Sequence, residues 1–151
     1  MNNPRDSAQS SNDARLGQLL AEDGPIVKAI VSALPDTLAV YAFGSRTSGH
    51  ADAGSDLDLA VLVAGYAEPL ALWEISGALA GLAECEVDLL DMRAASTVMQ
   101  YQVLTNGRRL WGKQPQAGLF ESYVLSEKTA LDTARAGLLA DIRQQGKVYA
   151  R

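Results

Sequence analysis

Two apolar runs separated by a short polar stretch constrain this chain more than any other feature. Thr37 to Phe43 (TLAVYAF) is continuous, contains β-branched and aromatic residues, and is bounded by Pro35-Asp36 on one side and Gly44 on the other. That pattern is expected of a strand buried on both faces, so helices must cover both sides of its sheet. After the polar, glycine-containing segment Arg46 to Ser55, Asp56 to Val63 (DLDLAVLV) opens with strict polar/apolar alternation and continues as a second strand. So short a connection favours antiparallel pairing of the two.

The remaining elements follow from periodicity. Leu16, Leu19 and Leu20 recur at helical spacing behind a polar tail, Met1 to Asp13, and Ile26, Val27, Ile30, Val31 and Leu34 do so behind Gly24-Pro25; both read as short helices, the second stopped by Pro35. Leu72, Ile75, Leu79 and Leu82 predict an amphipathic helix over Pro69 to Leu82, and Glu86 to Leu90 (EVDLL) a third strand. A helix from Ala94 to Thr105 closed by Asn106-Gly107, and a short edge strand Arg108 to Trp111, come next. Val124, Leu131 and Leu138 repeat every seven residues with Ile142 beyond, which predicts one long C-terminal helix over Ser122 to Gln145 with a single apolar stripe. The expected fold is α/β (α+β): a small mixed sheet flanked by helices, with a polar tail at 1–13 and a single domain at 14–151.

Composition excludes several function classes. At 151 residues, 48% of them hydrophobic, the chain has enough for one core. With 18 acidic against 13 basic residues and a net charge of -5, its surface repels phosphate backbones, so direct nucleic-acid binding is not expected and a bound nucleotide calls for metal ions. One cysteine, Cys85, excludes an internal disulfide framework and any multi-cysteine metal site, and reads as a small buried hydrophobe. No apolar run suits a signal peptide or a membrane span, so a cytoplasmic location is expected.

Chemistry concentrates in Gly44-Ser45, ten residues, then Asp56-Leu57-Asp58. Residues two apart in a strand share a face with α-carbons roughly 6.5 to 7 Å apart, so Asp56 and Asp58 project side by side. Their mutual repulsion is relieved by cations, and magnesium, which takes carboxylate and phosphate oxygens, is the natural occupant. Two such ions roughly 3.5 to 4 Å apart can stabilise the attacking and leaving oxygens of an in-line phosphoryl displacement. Asp88, in the alternating Glu86-Val87-Asp88-Leu89, can supply a third carboxylate if strand three lies beside strand two, although Glu86 shares its face and Asp91 is near. Gly44 lets a phosphate approach the backbone, and the amides after it, with the Ser45 hydroxyl, can grip an anion.

On these residues the chain resembles the minimal nucleotidyltransferases, or MNT proteins, of the polymerase-beta-like nucleotidyltransferase superfamily. In YAFGSRTSGHADAGSDLDLAVLV, Gly44 and Ser45 match the phosphate-binding pair and Asp56 and Asp58 the metal-binding pair, while Asp88 falls at the place of the third carboxylate. The resemblance covers about residues 37 to 91. It departs from the family pattern at Ser48, where many relatives carry a second arginine, leaving Arg46 as the arginine of this corner. The resemblance implies an antitoxin of a HEPN/MNT module that uses ATP and two magnesium ions to transfer AMP to a tyrosine hydroxyl of a HEPN ribonuclease toxin. Added bulk and negative charge would obstruct RNA docking there. Two alternatives stand beside it: a small-molecule nucleotidyltransferase like the aminoglycoside enzymes, and an antitoxin that masks its toxin sterically with silent aspartates. The first usually needs a larger helical domain, and only about sixty residues follow Asp88.

Other residues read more plainly. His50, in the polar spacer, is expected to be a solvated loop histidine rather than a contact to the triphosphate, and no serine, cysteine or second histidine is expected to form a relay with it. Trp73, Trp111, Tyr41, Phe43 and Tyr66 are expected to pack. Arg108 and Arg109 are expected to be solvated or to meet an acidic partner, and the polar side of the C-terminal helix is a place for a partner to dock.

Overall fold

In a computed structural model describing residues 4–44 and 56–145, the two apolar runs form β1 (Thr37–Phe43) and β2 (Leu57–Val63) and pair antiparallel, with Tyr41 opposite Ala60 and Phe43 opposite Asp58. β3 (Val87–Asp91) adds to the other side of β2 in parallel, and β4 (Arg108–Gly112) runs antiparallel to β1 as an edge strand. The order β3-β2-β1-β4 is the small mixed sheet expected.

Both faces of that sheet are buried, and period two decides what each face meets. Val40, Ala42, Leu57, Leu59 and Val61 turn toward α2 (Pro25–Ala33) and α3 (Pro69–Ala83), packing with Ile26, Ile30 and Leu79. Ala39, Tyr41, Ala60 and Leu62 turn the other way, onto α4 (Thr97–Asn106) and α5 (Gln116–Gln145), packing with Val103, Phe120 and Val124. At about 1.5–3 kcal/mol for each fully buried Val, Leu or Ile, these two layers fix the central strands as a rigid platform. Pro25 and Pro69 open their helices, where a missing N–H goes unmissed, and Ser96 caps α4 by accepting from the Met99 N–H at 3.2 Å.

Besides small shifts at the start of β3 and of α4, which begin at Val87 and Thr97 rather than Glu86 and Ala94, the structure departs from the sequence expectations in four places. α1 (Pro4–Leu19) runs back through the polar stretch expected as a tail. Pro4 starts it, no proline or glycine interrupts Arg5 to Leu16, and Leu16, Leu19 and Leu20 dock its far end on the core. α5 starts six residues earlier than the stripe suggested, because Ala117 and Phe120 plug the second face, while Leu138 and Leu139 near its other end stay exposed. β2 begins at Leu57, which leaves Asp56 at its threshold. Trp73 and Tyr66, expected to pack, are 74% and 72% exposed, whereas Phe43 and Trp111 do lie against the core and Tyr41 is buried in it. No helix among the described residues is long and apolar enough to cross a membrane.

Candidate active site

The end of the sheet where β1 stops and β2 and β3 start gathers the acidic residues. Asp58 is the register partner of Phe43 on one side and of Asp88 on the other, so the Asp58 and Asp88 side chains leave the sheet on one face. Asp56 and Asp88 are exposed and Asp58 is half-buried. Burial, then the neighbouring charge of Asp88, then that of Asp56, pushes the Asp58 carboxyl above the usual carboxylate range. The three aspartates singled out from sequence therefore share one electrostatic environment, with Asp58 at its centre.

Gly44 belongs to the same corner. Its φ of +82° is a backbone conformation that L side chains rarely adopt, and a β-carbon there would run into the Asp58 carboxylate, colliding with Oδ2 and coming within 3.0 Å of Cγ. The glycine is thus required twice, to turn the chain out of β1 and to leave room for the central aspartate. Ser45, Arg46 and His50 lie outside the described residues.

The other carboxylates near the corner occupy different places. Asp91 is buried at the far end of β3, where Oδ2 accepts from the Ala67 N–H at 2.9 Å and Oδ1 from the Arg93 N–H at 3.1 Å. Oδ2 thereby ties the β2–α3 connection to the sheet, while Oδ1 holds the turn that follows β3. Glu86 precedes β3, whereas Asp88 sits inside it in register with Asp58. Sequence reasoning missed this structural role of Asp91. It also missed Glu121, whose Oε1 accepts at 2.9 Å from both the buried Tyr41 hydroxyl and Arg109, so Arg109 is paired rather than simply solvated. Neither partner could be foreseen, since Glu121 is 80 residues from Tyr41 along the chain.

Among the described residues, no three carboxylate, imidazole or thiol side chains close around a single ion. What the fold provides is a concentration of hard oxygen donors whose mutual repulsion a divalent cation relieves, and that donor chemistry fits magnesium. The same repulsion makes a prediction for the metal-free protein. A carboxyl with a raised folded-state pKa binds its proton more tightly when folded, so its contribution to stability falls as pH rises through that pKa. Asp58→Asn removes the charge; in chelator it is expected to melt a few degrees above wild type at neutral pH, with the gap narrowing on acidification, as thermal melts across pH would record.

Comparison with known proteins follows the same residues. A family model described as polymerase beta, nucleotidyltransferase matches residues 26–116, which span α2 through the start of α5. The chain is 36% identical over 120 residues to protein adenylyltransferase MntA of Shewanella oneidensis, an alignment covering 80% of this chain and 86% of that protein. A chain in a crystal structure described as a toxin-antitoxin with AMP-PNP superposes with a TM-score of 0.68 at 36% identity, covering 78% of this chain and 95% of that one. A second, described as a tri-AMPylated Shewanella oneidensis HEPN toxin in complex with MNT antitoxin, gives 0.66 at 35% identity over 83% and 98%.

Proposed function

We propose that this chain, because it belongs to the polymerase beta nucleotidyltransferase family, is a protein adenylyltransferase that moves AMP from ATP to a tyrosine hydroxyl of a HEPN-family toxin and thereby acts as its antitoxin. The observation that carries this reading is the register of Asp58 with Asp88 beside the Gly44 corner. The relative's description as a protein adenylyltransferase, and the AMP-PNP and AMPylated toxin in the related complexes, favour a protein acceptor over a small molecule. The acting unit is the domain expected at 14–151, extended at its start by α1 back to Pro4, working in the cytoplasm.

Each residue has a task set by its place. Gly44, with Ser45 and Arg46 following it, receives the phosphates at the end of β1, where no β-carbon obstructs them. Asp56, Asp58 and Asp88 would hold magnesium, which supplies charge neutralisation for the attacking and leaving oxygens of an in-line displacement. Asp88, exposed on the outermost strand, is the carboxylate an acceptor reaches first, and it takes the hydroxyl proton. The acceptor oxygen then bonds to the α-phosphorus as the bond to the β-phosphate bridge breaks, and pyrophosphate leaves with that electron pair.

The position of a radiolabel separates this reaction from phosphorylation and from simple masking. With magnesium and the HEPN-family partner, α-labelled ATP is expected to label the partner on tyrosine and γ-labelled ATP is not, with chelator abolishing the signal. Labelling from the γ position, or none from the α position, would refute adenylyl transfer.

A further inference from the structure

The two edges of the sheet are defended differently. β4 carries Arg108 and Arg109 and pairs with β1 through an irregular register, both of which discourage a further strand. β3 (VDLLD) has no lysine, arginine or proline and no described strand on its outer side. The Leu57 N–H donates to the Glu86 carbonyl and the Met92 N–H to the Val61 carbonyl, each at 2.9 Å, so the even-numbered residues of this strand bond to β2. The N–H and C=O groups of Val87 and Leu89 therefore point to the free edge. Along that edge, beside α3, runs a groove of about 870 Å³ lined by Trp73, Ser76 and Gly77 of the helix and by Val87 and Leu89 of the strand. Strand alternation fixes its side of the sheet: Val87 and Leu89 pack into the core layer under α3, whereas the Asp88 side chain leaves with that of Asp58 on the other face. The groove is thus separated from the carboxylates by the sheet and lies outside the chemistry.

Its walls are left in water at a cost. Trp73 is 74% exposed, and Leu70, one turn earlier on α3, is 58% exposed. Gly77 sits inside α3, where glycine weakens a helix, and a β-carbon there would meet nothing within 4 Å, so packing inside the domain does not require it. What it does is keep the groove floor low. The charged lining includes Glu74 on the helix and Glu86 at the entry to β3, with no lysine, arginine or histidine, and the chain as a whole carries a net charge of -5. Resting on the adenylyl-transfer reading above, we propose that this groove is the surface on which the HEPN-family partner docks, through a basic segment, apart from the place where it is modified. An aliphatic or cationic side chain of that segment covers Trp73, Glu74 and Glu86 meet its charge, and its donors reach the outward carbonyls of Val87 and Leu89. Affinity and chemistry are thereby assigned to opposite faces of one sheet. Because β3 is the outermost strand, a segment held along its edge borders both.

The test is calorimetric binding of the intact HEPN-family partner to the full chain, without ATP or metal, for wild type, Trp73→Ala, Glu74→Lys and Gly77→Gln. All three positions are exposed. Kd is expected to rise about tenfold or more in each variant, and added salt should weaken wild type more than Glu74→Lys. Gly77→Gln discriminates best: its side chain fills the groove while improving the helix, so affinity falls as melting temperature rises, which damage to the fold cannot produce. An unmoved Kd in all three variants overturns the docking site. A weakened affinity for magnesium-ATP with unchanged partner affinity assigns the groove to the nucleotide and overturns it too. So does a wild-type chain that dimerises by itself and becomes monomeric with Trp73→Ala, since the occupant is then a second copy. A partner that binds through the groove but is never labelled from α-labelled ATP overturns the transfer reading and leaves the docking surface standing.

Discussion

Asp58→Asn is expected to leave a folded, partner-binding protein whose adenylyl transfer has fallen by about a thousandfold or more. Asparagine keeps the shape of the side chain and removes its charge. In the metal-free protein this relieves repulsion, because Asp58 is crowded by Asp88 and Asp56 and partly withdrawn from water. In the working enzyme the same change removes the central anionic donor of the cluster, where loss of several kcal/mol of transition-state stabilisation corresponds to roughly three powers of ten. Stability and activity therefore move in opposite directions, a pairing that loss of fold cannot produce. The measurements are the transfer rate to the HEPN-family partner and the elution position of the mixed proteins. An antitoxin that worked by masking alone would still protect its host after this substitution, so protection that survives Asp58→Asn with transfer abolished would favour masking.

Gly44→Ala is expected to reduce transfer about a hundredfold and to lower stability by about 1–2 kcal/mol. Two causes act together. Alanine at a φ of +82° is strained wherever it occurs, and its methyl group would land on the Asp58 carboxylate. The carboxylate tip can swing aside, which keeps the stability loss moderate. Swinging aside moves the central donor away from Asp88, and displacement of a reacting group by about 1 Å costs about a hundredfold in rate. Because the glycine abuts Asp58 directly, the losses of Gly44→Ala and Asp58→Asn are expected to combine less than additively in the double variant, as at coupled positions, leaving only the part that acts on the phosphates. Additive losses in the rate assay would mean that Gly44 acts on the phosphates only.

The central sheet and its carboxylates were legible because strand physics is local. Continuous apolar residues in Thr37 to Phe43 and Leu57 to Val63 demand cover on both faces, and alternation through Asp56-Leu57-Asp58 puts like side chains together. What lay hidden depends on contacts between distant residues. The choice of Asp88 over Asp91 rests on which end of β3 each occupies and on the amides of Ala67 and Arg93, which the carboxylate spacing does not encode. The start of α5 is set by Ala117 and Phe120 filling a hollow made by β1 and α4, which lies beyond the heptad stripe that marks its later turns. Trp73 looked like core because bulky aromatics usually are; its helix already buries Leu72, Ile75 and Leu79 on the inward face, and that leaves position 73 in solvent.

The proposed transfer requires Asp56, Asp58 and Asp88 to hold divalent metal beside the nucleotide. Anomalous scattering from crystals grown with manganese and a non-hydrolysable ATP analogue tests this most directly. Manganese against the Asp56 and Asp58 carboxylates, with Asp88 as a further ligand and the analogue's phosphates over Gly44, is the predicted result. An analogue bound elsewhere, or bound at Gly44 with no manganese on these aspartates, would contradict it.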